Sequence, residues 1–95
     1  MAVYYRRVAL NDLGRIHRFL APKTPRAADR AVRTIRAAIA NLETFPRAGR
    51  LAPDGHPNHR ELIVRFSSGG YLVLYGIDGD DLVVISIRHQ REGGY

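Results

Sequence analysis

YLVLYGIDGDDLVVISIRH, residues Tyr71 to His89, is the stretch on which the fold turns. Two runs rich in β-branched and aromatic residues flank Asp78-Gly79-Asp80-Asp81. A glycine at the centre of so short a polar interval marks a hairpin turn. Both runs are apolar on both faces, which places them in the interior of a sheet. Two interior strands need further strands outside them, and something to cover them.

The flanking sequence supplies both. Arg60 to Phe66 (RELIVRF) alternates, with Leu62, Val64 and Phe66 on one face and Glu61, Ile63 and Arg65 on the other. Ser67–Gly70 turns this strand into the hairpin. Near the start, Val3 to Val8 (VYYRRV) reads as another strand. In ALNDLGRIHRFLA, Ala9, Leu10, Leu13, Ile16 and Leu20 form one helical face, with Phe19 outside it. Pro22 to Pro25 is a helix–helix connection, with Thr24 as N-cap and Pro25 at the first helical position. The second helix runs from Pro25 to Thr44. Ala28, Val32, Ile35, Ile39 and Leu42 make its apolar stripe, and Arg26, Arg30, Arg33 and Arg36 lie opposite. Phe45 to His59 has three prolines, two glycines and no period, and reads as one long loop. The expected order is β-α-α-β-β-β. This is an α+β fold, a helical hairpin packed on a small, mostly antiparallel sheet.

Composition bounds the rest. Ninety-five residues fit one domain, expected to span 1–95, and 45% hydrophobic content supports a packed core. There is no cysteine, so thiolate chemistry and disulfides are excluded. No stretch reads as a signal peptide or a membrane span, and a soluble cytoplasmic protein is expected. The net charge is +6 and Lys23 is the single lysine, so the excess is carried by arginine. Guanidinium forks suit carboxylates and phosphates, which points to an acidic protein or nucleic acid as partner.

Metal and cofactor chemistry finds little footing. His56 and His59 are three apart, but in a proline-rich loop without cysteine. Asp78, Asp80 and Asp81 lack the ligand pattern of a calcium loop. No phosphate-cradling glycine loop or nucleophile elbow is present. The arginines on the second helix have no interleaved aromatics to stack bases, and read as a solvated face. One polar constellation remains. Arg65 leaves the open side of its strand, Arg88 and His89 end the last strand, and Arg91, Glu92 and Tyr95 follow. If the strands lie side by side, Arg65 and Arg88 can converge on a phosphate while His89 supplies a proton. The plainer reading makes His89 a strand cap that orders the tail.

The order of these pieces resembles the RelE/ParE superfamily of toxins from type II toxin–antitoxin systems. ALNDLGRIHRFLA resembles the first helix, with its Asp12-Leu13 pair. FPRAGR, Phe45 to Arg50, resembles the Pro…Gly-Arg segment after the second helix. HRELIVRF resembles the strand led by Arg60-Glu61, and YLVLYGIDGDDLVVISIRHQRE resembles the closing hairpin with its His89-x-Arg91 ending. The resemblance implies a toxin neutralised by a cognate antitoxin, whose N-terminal part binds DNA and whose acidic C-terminal segment wraps the toxin. The toxin itself then meets DNA only through the antitoxin. That segment is expected along the helical hairpin and an exposed strand edge, with Leu13, Ile16, Phe19, Leu20, Arg30 and Arg33 as contacts.

Two activities exist in the superfamily. RelE-like members are ribosome-dependent mRNA endonucleases, for which Arg65, Arg88, His89 and Tyr95 fall in suitable places. ParE-like members act on DNA gyrase without a nuclease site. The second helix and FPRAGR are similar to the ParE-like branch, and the sheet holds no lysine. The expectation is therefore a gyrase inhibitor with no favoured catalytic residue, no metal and no cofactor. Its target contacts are expected at Arg50, Arg60, Arg65, Arg88 and Arg91.

Overall fold

In the computed structural model, which describes residues 1–67 and 69–90, five strands form one sheet and two helices pack on one of its faces. The strands are β1 (Ala2–Tyr5), β2 (Arg50–Leu51), β3 (His59–Phe66), β4 (Gly69–Asp78) and β5 (Asp81–His89). The helices are α1 (Arg7–Leu20) and α2 (Pro25–Ala40), with a 3-10 turn at Asn41–Glu43. The order across the sheet is β1-β5-β4-β3-β2. Only β1 and β5 pair in parallel; the other pairs are antiparallel. The β4–β5 hairpin therefore does occupy the interior, with Gly79 at φ 59° in its two-residue turn.

Three boundaries differ from the sequence reading. β1 ends at Tyr5, and Arg7 and Val8 already belong to α1. Val8 is exposed, so its β propensity had no packing partner to act through. Helical geometry tightens to 3-10 after Ala40, although Leu42 still completes the buried stripe. The long loop contains a short strand, β2, whose Arg50 and Leu51 pair with Glu61 and Arg60.

The core lies between the helices and one sheet face. Ala9, Leu13 and Ile16 of α1 and Ala31, Ile35 and Ile39 of α2 meet Val64, Val73, Tyr75, Leu82, Val84 and Ile87. Ala31 takes a place on the α2 stripe that was expected of Val32, which is only partly buried. Leu10 is exposed on α1. Tyr75 is fully buried, yet its hydroxyl is satisfied. It donates to Pro46 O at 2.7 Å and accepts Gly49 N–H at 3.0 Å, which ties the loop after α2 to the central strand. Burial pushes the Tyr75 phenol above its ordinary range, an effect opposed by the Gly49 N–H and by Arg60.

Where β1 has given way to α1, the edge of β5 would be bare. Asp12 and Arg15 of α1 take the place of a neighbouring strand. Asp12 Oδ2 accepts Ile87 N–H at 2.8 Å, and Arg15 Nη2 donates to Ile87 O at 3.3 Å. A bulge sits beside this clamp. Leu74 pairs with Ser86 but Tyr75 pairs with Val84, so Ile85 is an inserted residue.

Candidate functional site: the open face of the sheet

Among the described residues, no helix covers the other face of the sheet. Strand alternation puts Glu61, Ile63 and Arg65 of β3 on it, beside Gly70, Leu72 and Leu74 of β4. Arg88 pairs with Leu72 and so stands on this face too. The bulge decides that placement. Strict alternation from Leu82 and Val84 would send Ser86 and Arg88 toward the helices and His89 outward. The inserted residue reverses the phase, so that Ile87 enters the core, Arg88 faces out and His89 turns to the helix side. There the His89 ring meets Tyr71 edge-on, 5.3 Å between centroids.

On β3, one strand in from the edge, the open face carries a carboxylate that the sequence reading placed on this face but gave no role. Glu61 has a side chain only 6% exposed. Arg50, across from it on β2, donates to Oε1 from Nε at 3.2 Å and from Nη2 at 2.6 Å. Arg88 approaches Oε2 from β5, with Nη2 at 4.0 Å. A buried carboxylate needs such partners, since removing a charge from water without them is costly. One negative charge thus organises two guanidinium groups from strands on either side. Arg50 stays mostly exposed and can offer its remaining N–H groups to a further anion.

The expected site residues distribute as follows. Arg50, Arg65 and Arg88 share the open face, but Arg88 is directed at Glu61, and β4 separates it from Arg65. Arg60 is on the helix side, where Nη1 donates to Gly49 O at 2.7 Å and to Arg47 O at 3.4 Å. It fastens the loop after α2 to β3. His89 does not stand beside Arg65 and Arg88, because adjacent residues of a strand face opposite ways. Arg91, Glu92 and Tyr95 lie outside the described residues. Of the expected antitoxin contacts, Leu13 and Ile16 are corrected to core positions. They lie on the α1 stripe that the sheet covers and cannot be reached without opening the fold. Phe19 is 70% exposed, with Lys23 Nζ 5.7 Å from its ring centroid. It does not pack inward. Leu20 is partly buried, and Arg30 and Arg33 are exposed. Arg30 lies 5.8 Å from the Phe66 ring centroid. Asp29 is paired with His17 of α1 at 2.9 Å, on the surface.

Beyond β2, residues 62–66 of β3 have no strand neighbour on their outer side among the described residues. Below this edge is a mostly apolar hollow of about 360 Å³ that includes Leu42, Phe45, Leu62 and Ile63. Among the described residues, no group of three or more histidines, cysteines or acids is placed to hold a metal.

A two-helix hairpin thus packs on one face of a five-stranded, mostly antiparallel sheet, with Arg50, Arg65 and Arg88 on the face opposite. The chain matches the family described as "ParE toxin of type II toxin-antitoxin system, parDE" over residues 3–93. It is 36% identical to Toxin RelE3 and 31% identical to Toxin RelE1 of Caulobacter vibrioides, each over 88% of this chain; 88% and 87% of those proteins are covered. The fold is similar to a solved chain from the chromosomal ParDE TA system of P. aeruginosa, with a TM-score of 0.78 at 21% identity, covering 94% of this chain and 95% of that one. The chain belongs to the ParE toxin family and is a RelE/ParE superfamily toxin of a type II toxin–antitoxin system.

Proposed function

We propose that this toxin arrests growth as a ParE-like inhibitor of DNA gyrase in the cytoplasm. In this reading it acts by binding through the open face of the sheet, without catalysis of its own. One observation carries the reading. Arg88 and His89 leave β5 on opposite faces, so the His89 imidazole does not stand beside the open-face arginines Arg65 and Arg88. A surface with Arg50, Arg65 and Arg88 around a buried Glu61 suits capture of an acidic protein surface. The test is gyrase-driven supercoiling of relaxed plasmid with increasing toxin. Inhibition is expected, weakened by Arg65→Ala and kept by His89→Ala.

The second reading is a ribosome-dependent mRNA endonuclease using Arg65, Arg88, His89 and Tyr95, and it is favoured by similarity to two toxins named RelE. Primer extension on a reporter message from a reconstituted translation reaction separates the two. Cleavage within translated codons that disappears in His89→Ala would replace the gyrase reading.

In either case the antitoxin is proposed to bind as an extended acidic segment. The open edge of β3 offers backbone groups to a new strand, the hollow beneath takes apolar side chains, and Arg30, Arg33 and Phe19 on the helices receive the rest. Its acidity suits a chain of net charge +6.

A further inference from the structure

Beyond β2 the outer edge of β3 is bare among the described residues, and the direction of its backbone groups follows from its neighbours. Ala52 N–H donates to His59 O at 3.0 Å, so His59 turns its backbone groups away from β4. The β3–β4 pairing runs from His59 to Phe66 without a shift of register, so Glu61, Ile63 and Arg65 turn the same way. Glu61 is met by Arg50 of β2. Ile63 and Arg65 are left, each with an N–H and a C=O facing outward and no strand to meet them among the described residues.

Sheets blunt such edges with proline, lysine, a bulge, a short strand or a cover. The opposite edge of this sheet, β1, is four residues long, and Asp12 and Arg15 close the adjoining edge of β5. Leu62 to Phe66 has none of these devices, and Arg65 is its one charge.

This edge is complementary to itself. Two copies paired antiparallel about a twofold axis at Val64 set Ile63 of each opposite Arg65 of the other. The outward groups of these residues then meet in four hydrogen bonds. Arg65 lies across from an isoleucine that its stem can cover, and like charges are not opposed. On the helix side, Leu62 stands opposite Phe66 of the second copy. Leu62 lines the apolar hollow of about 360 Å³ beside the edge, together with Leu42 and Phe45, and the incoming ring fills it. Arg30, 5.8 Å from the Phe66 ring centroid, accompanies that ring toward the exposed Glu43 next to Leu42. Neighbouring registers fail. An axis at Ile63 would require Glu61, which β2 already holds, and an axis at Arg65 would set two guanidinium groups face to face.

We propose that the antitoxin-free toxin forms a twofold dimer through the edge of β3, joining two five-stranded sheets into one. The same edge is assigned to the antitoxin above, so a second copy and the antitoxin exclude each other there. That exclusion rests on the antitoxin reading; the dimer does not. The charge of +6 on each copy opposes the pairing, and salt relieves the opposition. Capture of an acidic segment on this edge would respond to salt in the opposite sense.

The experiment is sedimentation equilibrium of the purified full chain, free of antitoxin, from about 1 to about 100 μM. It is run at about 0.1 M and about 0.5 M salt. A monomer–dimer equilibrium is expected, strengthened about threefold or more by the higher salt. Ile63→Pro removes an outward N–H from each copy and leaves the β3–β4 ladder whole. With two symmetric hydrogen bonds lost, association should weaken by about tenfold or more. Val64→Cys puts one thiol per chain at the axis of a protein that has no cysteine, where facing strand positions are close enough for a disulfide. Mild oxidation should link this variant into a covalent dimer, and should not link Asp80→Cys at the distant turn. A monomer throughout the range, association weakened by salt, or association unchanged in Ile63→Pro would overturn the proposal. If Ile63→Pro does not fold, Val64→Cys decides, and absence of the linked dimer overturns the proposal equally. These readouts contain neither gyrase nor antitoxin, so failure of the function proposed above leaves them unaffected.

Discussion

The two faces of one sheet have been built by different rules. The face under α1 and α2 is a contiguous apolar core, and the buried hydroxyl of Tyr75 within it is satisfied on both sides. On the uncovered face, the carboxylate of Glu61 is held between Arg50 and Arg88. Polar groups there stand where packing does not require them, with arginines whose outer edges reach solvent. The covered face secures the fold, and the uncovered face is free to meet partners.

Substitutions on each side make the contrast measurable. The largest effect is expected from Ile35→Ala, fully buried at the helix–sheet contact. Urea denaturation should show a loss of about 2–5 kcal/mol; a loss below about 1 kcal/mol would mean that the helices are not what secures the fold. Tyr75→Phe comes next. It strands Pro46 C=O and Gly49 N–H, and a cost of about 1–3 kcal/mol is expected by the same assay. Glu61→Gln should cost about 1–2 kcal/mol, less than a fully buried pair because Arg50 is well exposed. A cost as large as that of Ile35→Ala would erase the distinction between the faces. Arg65→Ala should change stability by less than about 0.5 kcal/mol while weakening growth arrest. Unaltered toxicity would remove Arg65 from the target surface.

A smaller effect concerns acid. The hydrogen bond from the His59 ring, then that from His56 N–H, holds the Asp54 carboxyl below its ordinary value. A depressed carboxyl stabilises the folded state above the ordinary aspartate range, and that contribution is lost as pH falls through the depressed value. Carboxyl-carbon NMR should therefore show Asp54 still ionised where free aspartate is half protonated. An ordinary midpoint would mean that its contact with His59 does not persist in solution.

Most of the covered face was legible, because burial imposes period. Ile35, Ile39 and Leu42 announced α2, and the apolar runs around Asp78–Asp81 announced two interior strands. The open face was harder. Its decisive feature is a single inserted residue, Ile85, and alternation rules assume no insertion. The sequence held one clue, since unbroken alternation after Leu82 and Val84 would have buried Ser86 and exposed Ile87. Arg88 and His89 were read as partners, although neighbours in a strand always part. Glu61 was seen on the correct face, but its burial depends on Arg50 and Arg88, far from it in the chain. The pairing of His59 with Asp54 was hidden for another reason: an irregular loop has no period from which to infer it.

The clamp from α1 to β5 bears on the timing of synthesis. Asp12 and Ile87 are 75 positions apart, and the parallel β1–β5 pair joins similarly distant segments. Contacts this remote in sequence form only after nearly everything between them exists, and they fold slowly. A nascent chain that has not reached Ile87 holds both helices but lacks the strand on which α1 is fastened. The emerging polypeptide is thus expected to be inactive, with toxicity arriving only when the closing strand is released and docks.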